Sequence, residues 1–226
     1  MNQKMKKFFY IVLLNSLLFK VYGQNIKCDT MAEKFNYEAF GGAREVSLRQ
    51  GEWIIDIFAG PPGCQYEYAP AKDFYMIQKL YHNNGMIASR GKRLGNVPFG
   101  IWAYFDENGR LIKEVDEDAK FGKIKPKDVI HIMEEVGWIN RKTGENIITG
   151  TPLAIDGSFY KKICNYLNGS RLDVYFGPAR FSESGEEIQP TTWEFGYWKN
   201  PIYTYYRIDG NTGKYERFET MRFRYV

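Results

Sequence analysis

Histidine and cysteine are the scarcest chemistry in this sequence: His82, His131, Cys28, Cys64 and Cys164 are all that its 226 residues hold of them. No Cys-x-x-Cys pair occurs, and two histidines without such a pair do not supply the ligand set of a structural zinc site. No metal or other cofactor is expected. Gly-x-Ser-x-Gly is also absent; the nearest phrases, Asp156-Gly157-Ser158-Phe159 and Asn168-Gly169-Ser170-Arg171, lack the strand-to-helix nucleophile pattern. Gly60-Pro61-Pro62-Gly63 runs into Cys-Gln-Tyr-Glu-Tyr instead of a helix, and its prolines have no N–H to offer a phosphate. Cys–His catalysis would need Cys64 or Cys164 to meet His82 or His131 in space. The adjacent pairs Glu134-Glu135 and Glu186-Glu187 point in different directions on a helix or a strand.

A surplus of charge is missing as well. The formal net charge of +4 equals the four lysines Lys4, Lys6, Lys7 and Lys20, so the chain from Gln24 onward is balanced. That balance gives no general attraction for nucleic acid or an anionic membrane. The local clusters Arg90, Lys92, Arg93 and Lys123, Lys125, Lys127 read as solvated faces. Long hydrophobic runs are missing too: FFYIVLLNSLLF, residues 8 to 19, falls short of the ~20 apolar residues that span a bilayer. It follows three lysines and precedes Val21-Tyr22-Gly23, with small residues at the −3 and −1 positions of a cleavage site. Residues 1–23 therefore read as a secretory signal peptide, leaving no transmembrane segment and an exported protein, periplasmic or extracellular. Lys27 before Cys28 does not fit a lipidation signal. Three cysteines in an exported chain allow one disulfide and one free thiol; spacing does not fix the pairing, and Cys64 with Cys164 is the candidate because Cys28 lies close to the new terminus.

What the sequence does have is aromatic side chains, 17% of it, and hairpin chemistry. Residues 44–58 hold two β-like runs joined at Arg49-Gln50-Gly51, before the breaker cluster AGPPG. Residues 72–81 read as a strand that Asn83-Asn84-Gly85 turns into MIASRGKR. GIWAYF, residues 100–105, is turned by Asn108-Gly109 into RLIKEV. Asn-Gly predicts a type I′ turn, with positive φ at both central residues. Asn84-Gly85 and Asn108-Gly109 recur at nearly the same interval as Tyr81 and Tyr104, and a third version of the phrase starts at Tyr206. After the charged linker DEDAKFGKIKPKD, Pro126 suits a first helical position, Val129, Ile132, Met133 and Val136 form an apolar stripe, and Gly137 suits the C′ position. Lys127, Asp128, His131, Glu134 and Glu135 fall on the other face, with His131 and Glu135 one turn apart. RLDVYF, TTWEFGYWK, PIYTYYRI and KYERFETMRFRYV then read as aromatic-rich strands.

Gly100, Trp102, Phe105, Asn108, Gly109 and Leu111, with Tyr81, Asn84 and Gly85 in the preceding unit, resemble the MORN-type repeat in its bacterial variant, over residues 51–115. The helix followed by Trp193, Tyr206, Ile208, Asp209, Thr212 and Gly213 resembles the PepSY type of small domain, although the interval from Gly137 to Trp193 is longer than that domain usually holds. Together these readings predict an α+β, β-rich protein: a signal peptide (1–23), a domain of antiparallel hairpins in a meander (24–118), and a domain with one helix packed on an antiparallel sheet (124–226). The resemblances imply a secreted, non-catalytic protein-binding protein of the immunity, antitoxin-like or inhibitor kind. Its partner is expected to be a protein, met at a patch on the β-rich half with Arg90 and Arg93 at the rim, since Arg and aromatic side chains are the types enriched in binding hot spots. The alternative is a carbohydrate- or peptidoglycan-active envelope enzyme using dispersed carboxylates, which would need two of them about 5 to 10 Å apart across a cleft.

Overall fold

The computed structural model describes residues 33–37, 44–70, 72–142, 145–146, 151–152, 173–199 and 202–221. The signal-peptide reading, Cys28 and Cys164 all fall outside them. The protein is β-rich. Strands β1 (Glu45–Gln50), β2 (Trp53–Phe58), β3 (Cys64–Tyr68), β4 (Met76–Tyr81), β5 (Ile87–Leu94), β6 (Val97–Phe105) and β7 (Leu111–Asp116) form one seven-stranded antiparallel sheet in sequence order. A 3-10 turn (Glu117–Lys120) leads to helix α1 (Pro126–Glu135). Two short strands, β8 (Glu145–Asn146) and β9 (Thr151–Pro152), pair with each other. The second sheet joins β10 (Asp173–Gly177), β13 (Thr192–Lys199), β14 (Ile202–Asp209) and β15 (Tyr215–Met221) in the order β10-β13-β14-β15. A small hairpin, β11 (Arg180–Phe181) with β12 (Glu187–Gln189), interrupts it.

The Asn-Gly turns differ from expectation in an instructive way. Gly85 and Gly109 take φ of +84° and +76°, but Phe74 is the non-glycine residue with positive φ among the described residues, so Asn84 and Asn108 stay in the ordinary region. The loops are three residues long, a type I turn closed by a left-handed glycine, instead of two-residue type I′ turns. Gly109 N–H donates to Asp106 O (2.9 Å), Asp106 N–H to Arg110 O (2.9 Å), and the Asp106 carboxylate accepts from the N–H of Asn108 and Arg110. These backbone donors hold its pKa below the ordinary range. The first loop repeats the pattern, with Gly85 N–H donating to His82 O and His82 N–H to Met86 O. A side-chain oxygen that captures backbone N–H groups replaces the backbone strain a type I′ asparagine would carry.

The recurrence of the phrase also has a physical cause. Successive hairpins of a meander bring their turns side by side, and here they bond: Asn84 Nδ2 donates to Glu107 O (2.7 Å), and His82 Nε2 meets Phe105 O (3.0 Å). The third version of the phrase turns β14 into β15 in the other sheet, where Asp209 Oδ1 accepts from Asn211 and Thr212. Gly109→Val is expected to cost about 1 to 2 kcal/mol through strain at positive φ, and Asn108→Asp a few tenths. Urea titration of both variants checks this, and equal losses would contradict the left-handed role of Gly109.

α1 ends in a Schellman motif: Gly137 at φ +74° donates to Glu134 O, and Trp138 N–H reaches back to Met133 O. At its start the Asp128 carboxylate accepts from Lys125 N–H (2.9 Å). Val129, Ile132 and Met133 are buried as the stripe predicts, joined by Ile130. These residues share one apolar cluster with Phe74, Met76, Leu94 and Val97 of the first half and with Val174, Trp193, Phe195 and Ile208 of the second sheet. A second cluster, Phe35, Ile57, Tyr81, Ile87, Ala103 and Phe105, lies where residues 33–37 cross the other face of the first sheet. There Phe35 N–H donates to Gly85 O and Ile87 N–H to Glu33 O.

One strand of the first sheet escaped the sequence reading: β3 lies in what reads as loop after AGPPG. The strand expected at residues 100–105 begins earlier, at Val97 as β6, because Gly95, at φ +57°, turns the chain tightly between Leu94 and Val97.

Candidate functional site

The second sheet has two unlike faces because β-strand side chains alternate. One set, Val174, Trp193, Phe195 and Ile208, is fully buried. The opposite set consists of Tyr175, Glu194, Gly196, Tyr203, Tyr205, Arg207, Glu216 and Phe218, placed in rows by the strand register. Tyr175 pairs with Glu194, Glu194 with Arg207, and Arg207 with Glu216; in the next row Gly196, Tyr205 and Phe218 lie side by side. Polar groups and aromatic rings on a face turned away from the core are what distinguishes this surface.

Its geometry is ordered. Tyr205 stacks on Phe218 across the strands (centroids 5.0 Å apart, planes at 16°) and on Tyr203 along its own strand (5.7 Å, 21°). The missing side chain of Gly196 makes room for this: a Cβ there would lie 2.6 Å from Tyr203 Oη. Arg207 lies over the Phe218 ring at 5.3 Å and the Tyr205 ring at 5.9 Å, while its Nε donates to Glu194 Oε1 at 2.7 Å. The carboxylate fixes the guanidinium against the rings, while the Arg207 side chain as a whole is 49% exposed. Tyr175, at 49% exposure, closes the same face toward β10. Rigid aromatic groups with an oriented arginine lose little conformational freedom on binding, which is why such residues dominate recognition surfaces.

The residues singled out by sequence lie elsewhere. Arg90 and Arg93 are both on β5, but the guanidinium of Arg90 lies 5.6 Å from the Phe105 ring. Arg93 donates to Gln78 Oε1 (2.8 Å) and Asn96 O (2.6 Å), so it clamps β4 to the β5–β6 turn. Cys64, on β3, has no disulfide partner among the described residues, and burial pushes its thiol pKa up, against a smaller opposing effect from Tyr66. Glu134 is bound by Arg141 (2.7 Å), whose hydrogen bond lowers its pKa, and Glu135 accepts from Tyr215 Oη (3.2 Å). His131 is exposed on α1, and Glu186 is exposed on the loop that turns β11 into β12. A cleft of about 360 Å³ is lined by Val97, Pro98, Val174, Phe176 and Pro178 with Lys120, and no carboxylate is among its described lining residues. Among the described residues no group of three or more His, Cys, Asp or Glu is placed to hold a metal ion, and no helix is long and apolar enough to cross a membrane.

The sequence did carry a signal for the outer face: Tyr203, Tyr205 and Arg207 stand two apart on β14, as do Glu216 and Phe218 on β15. Alternation alone does not say which aromatic set is core, because Trp193, Phe195 and Tyr206 alternate equally well. Comparison with known protein families, with curated proteins and with solved structures finds no match to this chain.

Proposed function

We propose that this protein is an exported, non-catalytic protein-binding protein of the immunity or inhibitor kind, and that the outer face of its C-terminal sheet is the recognition surface. The observation that carries this is the stacked Tyr203, Tyr205 and Phe218 row with Arg207 held over it, on the face opposite the core. Export rests on the signal-peptide reading of residues 1–23. The phrase-level resemblances to MORN-type repeats and PepSY-type domains support the same class of function. We further infer that α1 backs the inner face of this sheet, supported by Trp138, just past the helix, stacking on Phe195 at 5.0 Å. That backing would hold the outer face rigid.

The double variant Tyr175→Ser/Arg207→Glu tests the proposal, with Arg90→Glu as the comparison. In pull-downs from envelope extract followed by mass spectrometry, the double variant is expected to lose a captured protein that wild type and Arg90→Glu retain, at nearly unchanged melting temperature. Each hot-spot truncation weakens binding by roughly 2 kcal/mol or more. Retention by the double variant with loss in Arg90→Glu would move the surface to the first sheet. Cleavage of glycan or peptide by the purified protein, abolished by replacing Glu134, Glu135 or Glu186, would replace the binding reading with an enzymatic one.

A further inference from the structure

β15 is an edge strand of the second sheet, paired along its whole length with β14 in one unbroken register, Ile202 to Met221 through Ile208 to Tyr215. It contains no proline and no bulge, the devices that commonly keep an edge from pairing with another chain. Among the described residues no strand pairs with its other flank. Arg217, Glu219 and Met221, on one face of the strand, have exposures of 55%, 49% and 63%, with Arg217 donating to Glu219 of its own strand. An edge of this kind has unpaired backbone N–H and C=O groups that another strand satisfies without any change of fold.

The side chains select which strand. Two copies of one strand pair antiparallel in a continuous sheet only about a dyad perpendicular to that sheet, so residues facing each other across it must lie on the same face. The dyad therefore passes through a residue position. Placed through Phe218, it sets Arg217 opposite Glu219 of the second copy and Glu219 opposite Arg217, so both charged contacts are attractive. Phe218 then meets Phe218, Glu216 meets Thr220, and Tyr215 meets Met221. The Tyr205–Phe218 stack becomes a four-ring row running through the dyad. Of the other edge strands, β7 gives no such match, since a dyad through Lys113 opposes Ile112 to Glu114 and one through Glu114 opposes Lys113 to Val115; β1 matches in charge about Ser47, Glu45 opposite Arg49, but has no aromatic ring to extend into a row. Opposite charges facing each other across strands stabilise pairing and like charges oppose it.

We propose that β15 pairs with β15 of a second copy of this chain, antiparallel about a dyad through Phe218, to give an eight-stranded sheet with one continuous outer aromatic face. The pairing does not depend on what the outer face binds.

Sedimentation equilibrium of the purified protein tests it with two charge variants. Wild type is expected to be dimeric at about 100 μM. Arg217→Glu alone places glutamates opposite glutamates, and Glu219→Arg alone places arginines opposite arginines; each should weaken dimerisation about tenfold or more, two repulsive pairs replacing two attractive ones. Mixing the two variants restores complementarity at both positions, so a heterodimer of near wild-type affinity should form. Independently of any variant, amide exchange of residues 215–221 in wild type should slow as protein concentration rises. A wild type that stays monomeric, exchange independent of concentration, single variants that dimerise like wild type, or a mixture that stays monomeric would each overturn the proposal.

Discussion

Gly91→Ala is expected to destabilise the protein by about 3 kcal/mol, although adding a methyl group to a strand glycine ordinarily stabilises by a few tenths to 1 kcal/mol. The sign is decided by Trp102 on the neighbouring strand, whose indole lies flat over Gly91. A Cβ at position 91 would stand 2.3 Å from ring atoms Cδ2 and Cε2, well inside contact distance. The ring has nowhere cheap to go: Trp102 is 6% exposed, and its Nε1 donates to Lys92 O at 3.0 Å. Either β5 and β6 separate or the indole leaves its site and gives up that bond. Overpacking costs about 1 to 3 kcal/mol and losing a buried tryptophan about 3 to 5, so the two routes bracket the expected loss. Chemical denaturation measures it. Gly60→Ala, with nothing within 4 Å of the added carbon and no left-handed φ, is the control and should be near neutral. In the Gly91→Ala background, Trp102→Ala should cost clearly less than it does in wild type, because the two residues share one space. Additive losses would show that the ring and the glycine are energetically independent.

This pair also explains why part of the structure was legible in the sequence. The phrase Gly-x-Trp around Gly100 and Trp102 marks a strand whose ring must find a glycine on its neighbour. Gly100, at φ +64°, lies where the β5–β6 register shifts, and its N–H donates to Asp118 Oδ1 (2.8 Å). Hairpins, the helix with its Gly137 cap, and the order of the aromatic strands follow from local rules of period and turn chemistry, and they were readable. What was not readable depends on partners far away in the chain. β3 does alternate, Cys64, Tyr66 and Tyr68 against Gln65 and Glu67, but it follows the AGPPG breakers directly, and its polar set faces a buried cation that only the distant Lys79 supplies. The arginines at 90 and 93 resembled a free rim because nothing local says that Gln78, Asn96 and Phe105 occupy them. The outer aromatic face was hidden for the opposite reason: its rings alternate with core rings of the same type, and only the second layer of packing tells the two sets apart.

The cation that β3 faces carries the last expected result: Lys79→Met should destabilise by about 3 kcal/mol, as removal of one partner from a buried ion cluster does. Lys79 Nζ lies 2.7 Å from Glu67 Oε1 and 3.0 Å from Glu33 Oε1, with side-chain exposures of 10%, 17% and 30%. Tyr81 Oη donates to the same Glu33 oxygen (2.9 Å), and Gln65 to Glu67 (2.6 Å). Without the ammonium, two carboxylates face one protein surface with their counter-ion gone; Glu67→Gln in the Lys79→Met background should recover part of the loss, whereas Glu67→Gln alone should destabilise. Alkali should expose the same cluster in the wild type. Burial pushes the Lys79 pKa down, but the two carboxylates outweigh it and hold it above its ordinary 10.5; burial and then Glu33 push that of Tyr81 above its ordinary 10.0. Both groups thus keep their protons in the folded state at a pH where the unfolded chain has begun to lose them. Their stabilisation is complete below about pH 10 and falls as pH rises through the folded values. Urea midpoints measured from pH 8 to 11 should decline above pH 10, and the decline should be shallower in Lys79→Met, which keeps only the tyrosine. A midpoint independent of pH over that range, or an identical slope in the variant, would mean that the cluster does not contribute to folding.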